Sequence, residues 1–310
     1  RVEVEYTGLD AAPTVAQVDV ASGTVPYTSG FRKAYKITNG NQTSGAGAGD
    51  RFQSFIKLEA QDIANSGWNY TSSSSYITLQ FWVKSSVAQN FYGYLRTKDG
   101  TGQRYAFETG SLTADTWTKI TKTIPGNANL TFNNDNGEGL QINLQHFSGT
   151  DFTDSGVSLN AWGAYASGTR TPDQTSTWYT TNNATLEYTG FQLELGSVAT
   201  DFEHRSFAQE LQLCKRYYEI FQPTLYVLAR YTKNTGEAYN WHSFEVEKRA
   251  APTATQSGTW SSAQGYSGNP AFSTATTLGI PINSTNTVES GGILYLDNSG
   301  SAICKFDAEL

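Results

Sequence analysis

The sequence has no methionine, two cysteines and eight prolines in 310 residues, and only 16 % of it is charged. Each shortage excludes something. A charged fraction well under the usual ~25 % excludes a coiled coil and a highly charged disordered chain. With 21 Lys and Arg against 28 Asp and Glu the net charge is −7, the wrong sign for a basic nucleic-acid binder. Cys214 and Cys304 are too few for a disulfide framework, and His146, His204 and His242 are too scattered to build a metal-ligand cluster with them. Both cysteines are expected as buried free thiols. No apolar run approaches the ~18 residues of a membrane-spanning helix, and no charged-then-apolar leader opens the chain. Without Met the chain holds no initiator, so an upstream segment is expected.

What the chain has in quantity is aromatic residues, at 13 %, together with Ser, Thr, Asn, Gln and 29 Gly. They fall into short runs of period-two alternation. The clearest is Tyr76 to Lys84, where Ile77, Leu79, Phe81 and Val83 point one way and Thr78, Gln80, Trp82 and Lys84 the other. Similar runs cover 91–97, 103–108, 117–124, 140–147 and 185–194, with turn signals at Pro125-Gly126, Asp135-Asn136-Gly137 and Asp154-Ser155-Gly156. Many strands with no interleaved helices predict an all-β sandwich or jelly roll.

One helix interrupts the pattern. Phe207, Leu211, Cys214, Tyr218 and Phe221 recur at three-to-four spacing, Ser206 with Gln209 fits a capping box, and Pro223 stops the segment. Beyond it, 225–231, 241–246 and 293–296 read as strands, and 255–277 reads as long loops anchored by Trp260, Tyr266 and Phe272. The expected organisation is a jelly-roll domain over 1–205, including an N-terminal strand segment, a linking amphipathic helix over 206–222, and a small C-terminal β domain over 223–310.

Four ordered segments carry a resemblance: Ile77-Thr-Leu-Gln-Phe-Trp-Val-Lys-Ser85, Trp117-Thr-Lys-Ile-Thr-Lys-Thr-Ile-Pro-Gly126, Thr189-Gly-Phe-Gln-Leu-Glu-Leu-Gly-Ser-Val-Ala-Thr-Asp-Phe-Glu203 and Glu210-Leu-Gln-Leu-Cys-Lys-Arg-Tyr-Tyr218. Together with the ending Phe306-Asp-Ala-Glu-Leu310 they resemble structural proteins of tailed bacteriophages, marine and cyanobacterial ones especially. Asp201 departs from the family, which often has Pro there. The resemblance implies a carbohydrate-binding-module-like jelly roll in a virion appendage of the tail-fibre type, followed by a short helix and a small β module. It also implies a homotrimer on the particle surface, contacts with other virion proteins, and host-surface polysaccharide as the partner, with no membrane insertion.

The residues name their own candidates. Trp82 with Gln80 on one strand, and Tyr92, Tyr94 and Arg96 on another, compose an aromatic platform flanked by amide and cationic groups. A pyranose stacks its C–H face on such rings while its hydroxyls bond the polar neighbours. The plainer alternative is that the N-terminal segment or a neighbouring subunit covers this face. Trp117 reads as core, and either Trp162-Gly-Ala-Tyr165 or Trp178-Tyr179 is a candidate loop rim. Phe207, Leu211, Tyr217 and Tyr218 form an aromatic stripe suited either to packing on the protein's own sandwich or to a contact between subunits. The loops Asn134-Asp-Asn-Gly-Glu138 and Asp151/Asp154 offer hard oxygens without the spacing of a helix-loop-helix calcium site. No cofactor is expected; the resemblance leaves room for a structural calcium, and the metal ligands are unassigned. No nucleophile elbow and no opposed carboxylate pair is present, so the expectation is a non-enzymatic protein. Its rivals are a capsid decoration protein and a carbohydrate-binding module cut from a secreted polysaccharide-active enzyme.

Overall fold

The computed structural model describes residues 2–222, 238–258, 270–284 and 302–309. The chain divides into two compact units, Arg1–His204 and Arg205–Leu310.

The first unit runs β1 (Glu3–Thr7), β2 (Thr14–Asp19), α1 (Val25–Thr28), β3 (Lys33–Thr38), β4 (Arg51–Glu59), α2 (Ala60–Ala64), β5 (Tyr76–Ser85), β6 (Asn90–Thr97), β7 (Gln103–Ser111), β8 (Thr118–Pro125), β9 (Glu138–Ser148), β10 (Trp162–Ala164), α3 (Thr177–Thr180) and β11 (Thr185–Leu195). Its strands make a six-stranded sheet, β1-β4-β9-β6-β7-β10, and a five-stranded sheet, β2-β3-β11-β5-β8. Every pairing in both is antiparallel. This is the all-β jelly-roll sandwich that the alternating runs predict. β-branched and aromatic side chains at every second position pack on a pleated face, and the opposite positions stay polar.

The inner faces meet in one core. Ile77, Leu79, Phe81 and Val83 of β5 pack with Leu95, Phe107, Ile142 and Leu144 of the other sheet, all buried. Trp178 is fully buried, and Tyr179 stacks on Phe147 at 4.4 Å and 16°. Neither of these two is on a loop rim. His146 is also in this core, 1 % exposed, with its ring 4.7 Å from Phe52 and Nε2 2.8 Å from Ser54 Oγ.

A bulge in β11, between Thr189 and Gln192, shifts its register against β5. Gly190 occupies it at φ 66°, and a Cβ there would lie 2.6 Å from the Phe31 ring. Gly190→Ala is therefore expected to cost roughly 1–3 kcal/mol through overpacking and left-handed strain, read as a lower urea midpoint at unchanged slope.

The second unit contains α4 (Phe207–Lys215), β12 (Tyr218–Phe221), β13 (Ala238–Ser243), β14 (Thr253–Ser257), β15 (Ala271–Phe272), β16 (Gly279–Ser284) and β17 (Ile303–Asp307). They form two three-stranded sheets, β12-β17-β14 and β13-β16-β15, around Phe244, Ile280, Cys304 and Phe306. The capping box at Ser206 and Gln209 is present as read. The helix itself ends at Lys215, six residues before the expected Phe221. Tyr218–Phe221 pairs instead with β17, which satisfies its backbone and puts Glu219 into a buried ion pair with Lys248; tertiary pairing overrides a helical period here. For the same reason Cys214 is exposed rather than buried, since α4 buries none of its residues, whereas Cys304 is buried; both thiols are free. The strands expected over 225–231 and 293–296, with Pro223, Trp260 and Tyr266, lie outside the described residues.

Candidate functional site

The five residues of the predicted platform are not one platform. β5 belongs to the five-stranded sheet and β6 to the six-stranded sheet, so Trp82 and Gln80 are on one outer face of the sandwich while Tyr92, Tyr94 and Arg96 are on the other. Alternation correctly sets each side chain outward. It carries no information that the short connection between the two strands crosses from sheet to sheet.

Around Trp82 the structure forms a cleft of about 470 Å³, lined by Phe31, Gln80, Trp82, Lys119, Gly190, Asp201, Phe202 and His204, among others. The cross-strand register builds its floor: Lys119 on β8, Trp82 on β5 and Thr189 on β11 are direct neighbours in one row. Aromatic rings build a wall. Phe31 meets Phe202 edge-on at 4.8 Å and His204 at 5.3 Å, and His204 donates from Nε2 to the Ser29 carbonyl at 2.9 Å. Trp82 is half-buried, packed with Tyr27, Trp117 and Phe202 against Val20, Phe31 and Ala34. The N-terminal segment thus covers part of this face, as the plainer alternative has it, and leaves the cleft beside the indole.

Gln80 is buried and already bonded. Its Nε2 donates to Glu194 Oε1 at 3.1 Å and to the Thr200 carbonyl at 2.8 Å. Burial pushes the Glu194 carboxyl up, but the hydrogen bonds from Thr200, Gln192 and Gln80 outweigh it and hold the group below its ordinary value. Gln80 therefore anchors the 194–201 segment under the cleft. Among the described residues the charged side chains lining the cleft are Lys119 and Asp201, both exposed. The sequence reading missed Phe31, Lys119, Asp201, Phe202 and His204. For the last three the Asp-Phe-Glu-His run after β11 is a signal, whereas Phe31 and Lys119 are brought in only by pairing.

On the opposite face, register places Gln53, Gln145, Tyr92 and Glu108 in one row, Phe55, Asn143, Tyr94 and Ala106 in the next, and Lys57, Gln141, Arg96 and Arg104 in the third. The 149–174 segment roofs part of these rows. Tyr165 lies under the Arg96 guanidinium at 3.7 Å and 6.4 Å from the Tyr94 ring, and Thr169 accepts from Arg104 Nη1. Tyr94 is consequently 1 % exposed and Tyr92 half-buried. Burial, the leading cause, pushes the Tyr94 hydroxyl well above its ordinary range.

Other candidates fall into ordinary structural roles. Trp117 packs outside the main core and receives Lys84 over its ring at 5.2 Å. Trp162 donates its indole N–H to the Pro125 carbonyl at 2.6 Å. Asp135 and Asp154 cap their own turns, accepting from Gly137 N at 2.9 Å and Gly156 N at 2.7 Å. Among the described residues no group of three or more His, Cys, Asp and Glu side chains is placed to hold a metal ion. Phe207 and Leu211 are exposed on α4, while Tyr217 and Tyr218 are half-buried at and beyond its end.

No family model and no curated protein matches the chain. Solved structures similar to it include a CBM4 structure, 15 % identical at a TM-score of 0.27, covering 53 % of this chain and 71 % of that one. A family 11 carbohydrate-binding module from Clostridium thermocellum, in complex with a β-1,3-1,4-mixed-linked tetrasaccharide, is 10 % identical at 0.30, covering 64 % and 91 %. The CBM22-1 and GH10 modules of a Clostridium thermocellum xylanase, complexed with xylohexaose, are 10 % identical at 0.31, covering 65 % and 27 %. Likeness at this level assigns neither site nor ligand to this chain.

Proposed function

We propose that the protein is a non-enzymatic glycan-binding jelly roll that holds sugar in the Trp82 cleft. The observation that carries this reading is the cleft itself: about 470 Å³ of open space beside Trp82 and Phe31, with Lys119 and Asp201 at its rim. That volume falls in the range of small-molecule sites, and it suits one or two pyranose rings stacked on aromatic carbon and bonded through their hydroxyls. The four-segment sequence resemblance supports a setting on a tailed phage, as a tail fibre or similar surface appendage meeting host polysaccharide. In such an appendage Phe207, 81 % exposed, and Leu211 would be covered by neighbouring copies of a homotrimer. Three or more weak sites acting together would raise avidity by ~10² to 10⁴.

The test is binding of the full chain to host cells and to neutral surface polysaccharide, with its oligomeric state measured by light scattering. Trp82→Ala is expected to weaken neutral-glycan binding at least tenfold, about 1.4 kcal/mol per site, without change in folding or assembly. Undiminished binding by the folded variant would remove the cleft from the mechanism. A monomer in solution would remove the trimer.

A further inference from the structure

The outer face of the six-stranded sheet gathers arginines, with Glu108 in the Tyr92 row as a carboxylate on the same face. Arg104 and Arg170 are 7 % and 6 % exposed, and Arg96, the cross-strand neighbour of Arg104, is half-buried. None of the three makes an ion pair among the described residues. The Nε of each is shut off from solvent with no partner, as is Nη1 of Arg170. Oδ1 of Asn143, on the same face and fully buried, is unpartnered too. Arg51 is paired with Glu5, yet its Nε is also without a partner.

These groups converge. Arg96 and Arg104 are direct cross-strand neighbours, and Arg104 Nη1 donates to the carbonyl of Thr169, the residue before Arg170. Above them the roof is tied to the sheet by Asn160 N, which donates to the Ala106 carbonyl at 2.7 Å, and to itself by a bridge between Thr153 and Thr171 and a bond from Arg170 N to the Phe152 carbonyl at 3.1 Å. The Phe152 ring lies 5.1 Å from the Arg51 guanidinium and 4.8 Å from that of Arg170. Aromatic faces attract these cations but do not neutralise them. A buried guanidinium with open N–H groups is costly unless an acceptor, best an anion, completes it. Planar forks of this kind match the oxygens of carboxylate and sulfate, on which they make paired, charge-assisted bonds.

We propose that this face is a second binding site, separate from the Trp82 cleft, that takes an oxyanion borne on a sugar chain, with Arg96, Arg104 and Arg170 as its donors. The oxyanion is a uronic-acid carboxylate or a sulfate ester. That it sits on sugar rests on the glycan-binding reading above; that it is an anion rests on the arginines alone.

The experiment compares the full chain's affinity for polygalacturonate, for the same polymer with its carboxyls reduced to alcohols, and for a sulfated galactan. At least one acidic polymer is expected to bind tenfold or more tightly than the reduced one, and which does so separates carboxylate from sulfate. Arg96→Gln and Arg170→Met should each lose tenfold or more of that binding, while Trp82→Ala leaves it within twofold. Without ligand, Arg170→Met should melt at the parent's temperature or higher, because it removes an uncompensated buried charge. Equal binding of acidic and reduced polymers, parent-like binding by the folded arginine variants, or a lower melting temperature for Arg170→Met would overturn the proposal. If neutral-glycan binding sensitive to Trp82→Ala persists in that case, the cleft reading stands alone. If acidic binding holds while the Trp82 dependence is absent, the cleft reading is the one that fails.

Discussion

Lowering the pH from 7 to 4.5 is expected to cost the jelly-roll unit roughly 3 kcal/mol of stability through His146 alone. The imidazole is entirely enclosed by the sandwich, against Phe52, Trp178 and Tyr188, and burial holds its pKa at about 3 against an ordinary 6.5. The folded-state value is the lower one, so between those limits the unfolded chain binds the proton more readily. Stability is therefore full above pH 6.5, falls as the pH drops below it, and has lost about 4 kcal/mol by pH 3. Carboxylates held below their ordinary values, such as Glu194, add to the loss only in the acid part of this range. His146→Gln keeps a polar atom for Ser54 and cannot take up a proton. Urea midpoints at pH 7, 6, 5 and 4.5 should decline for the parent and stay nearly level for His146→Gln over the upper three. Parallel declines would show that His146 is not the group responsible.

Removing one partner of the Glu219–Lys248 pair is expected to destabilise the second unit by about 3–5 kcal/mol, enough to unfold a unit of this size. Lys248 Nζ is 2.6 Å from Glu219 Oε2, and the two side chains are 0 % and 4 % exposed. The ammonium also donates to the Lys215 carbonyl and lies 4.9 Å from the Phe244 ring. Burial pushes the Glu219 carboxyl up, and His242 and Lys248 beside it more than reverse this, leaving it below its ordinary value. Glu219→Gln leaves the Lys248 charge buried and poorly compensated. The double variant Glu219→Leu/Lys248→Met removes both charges at similar volume and should recover most of the loss. Calorimetry should show the effect in a transition of the second unit, with the jelly-roll transition unmoved. A single variant as stable as the parent would mean that the pair is solvated in solution.

Both groups illustrate what is and is not legible in the chain. His146 stands two residues beyond Leu144, so alternation by itself turns the ring inward; what alternation omits is the bulge, pairing Phe52 with Phe147 but Gln53 with Gln145, that brings Phe147 to the inner side as well. Nothing local marks that bulge. Glu219 and Lys248 are 29 residues apart and meet because β12 abandons the helical period for pairing with β17.

The strand assignments from 76 to 195, the inward set Ile77, Leu79, Phe81 and Val83, and the capping box at Ser206 are properties of the sequence by itself, because period and capping are local and need only neighbouring residues. Which sheet each strand joins is not local. Tertiary structure decided that Trp82 and Tyr94 stand on opposite faces, that Phe31 and His204 close a cleft around one, and that the 149–174 segment buries arginines over the other. Those outcomes depend on which strands share hydrogen bonds across the chain, and alternation is identical on either side of a sandwich.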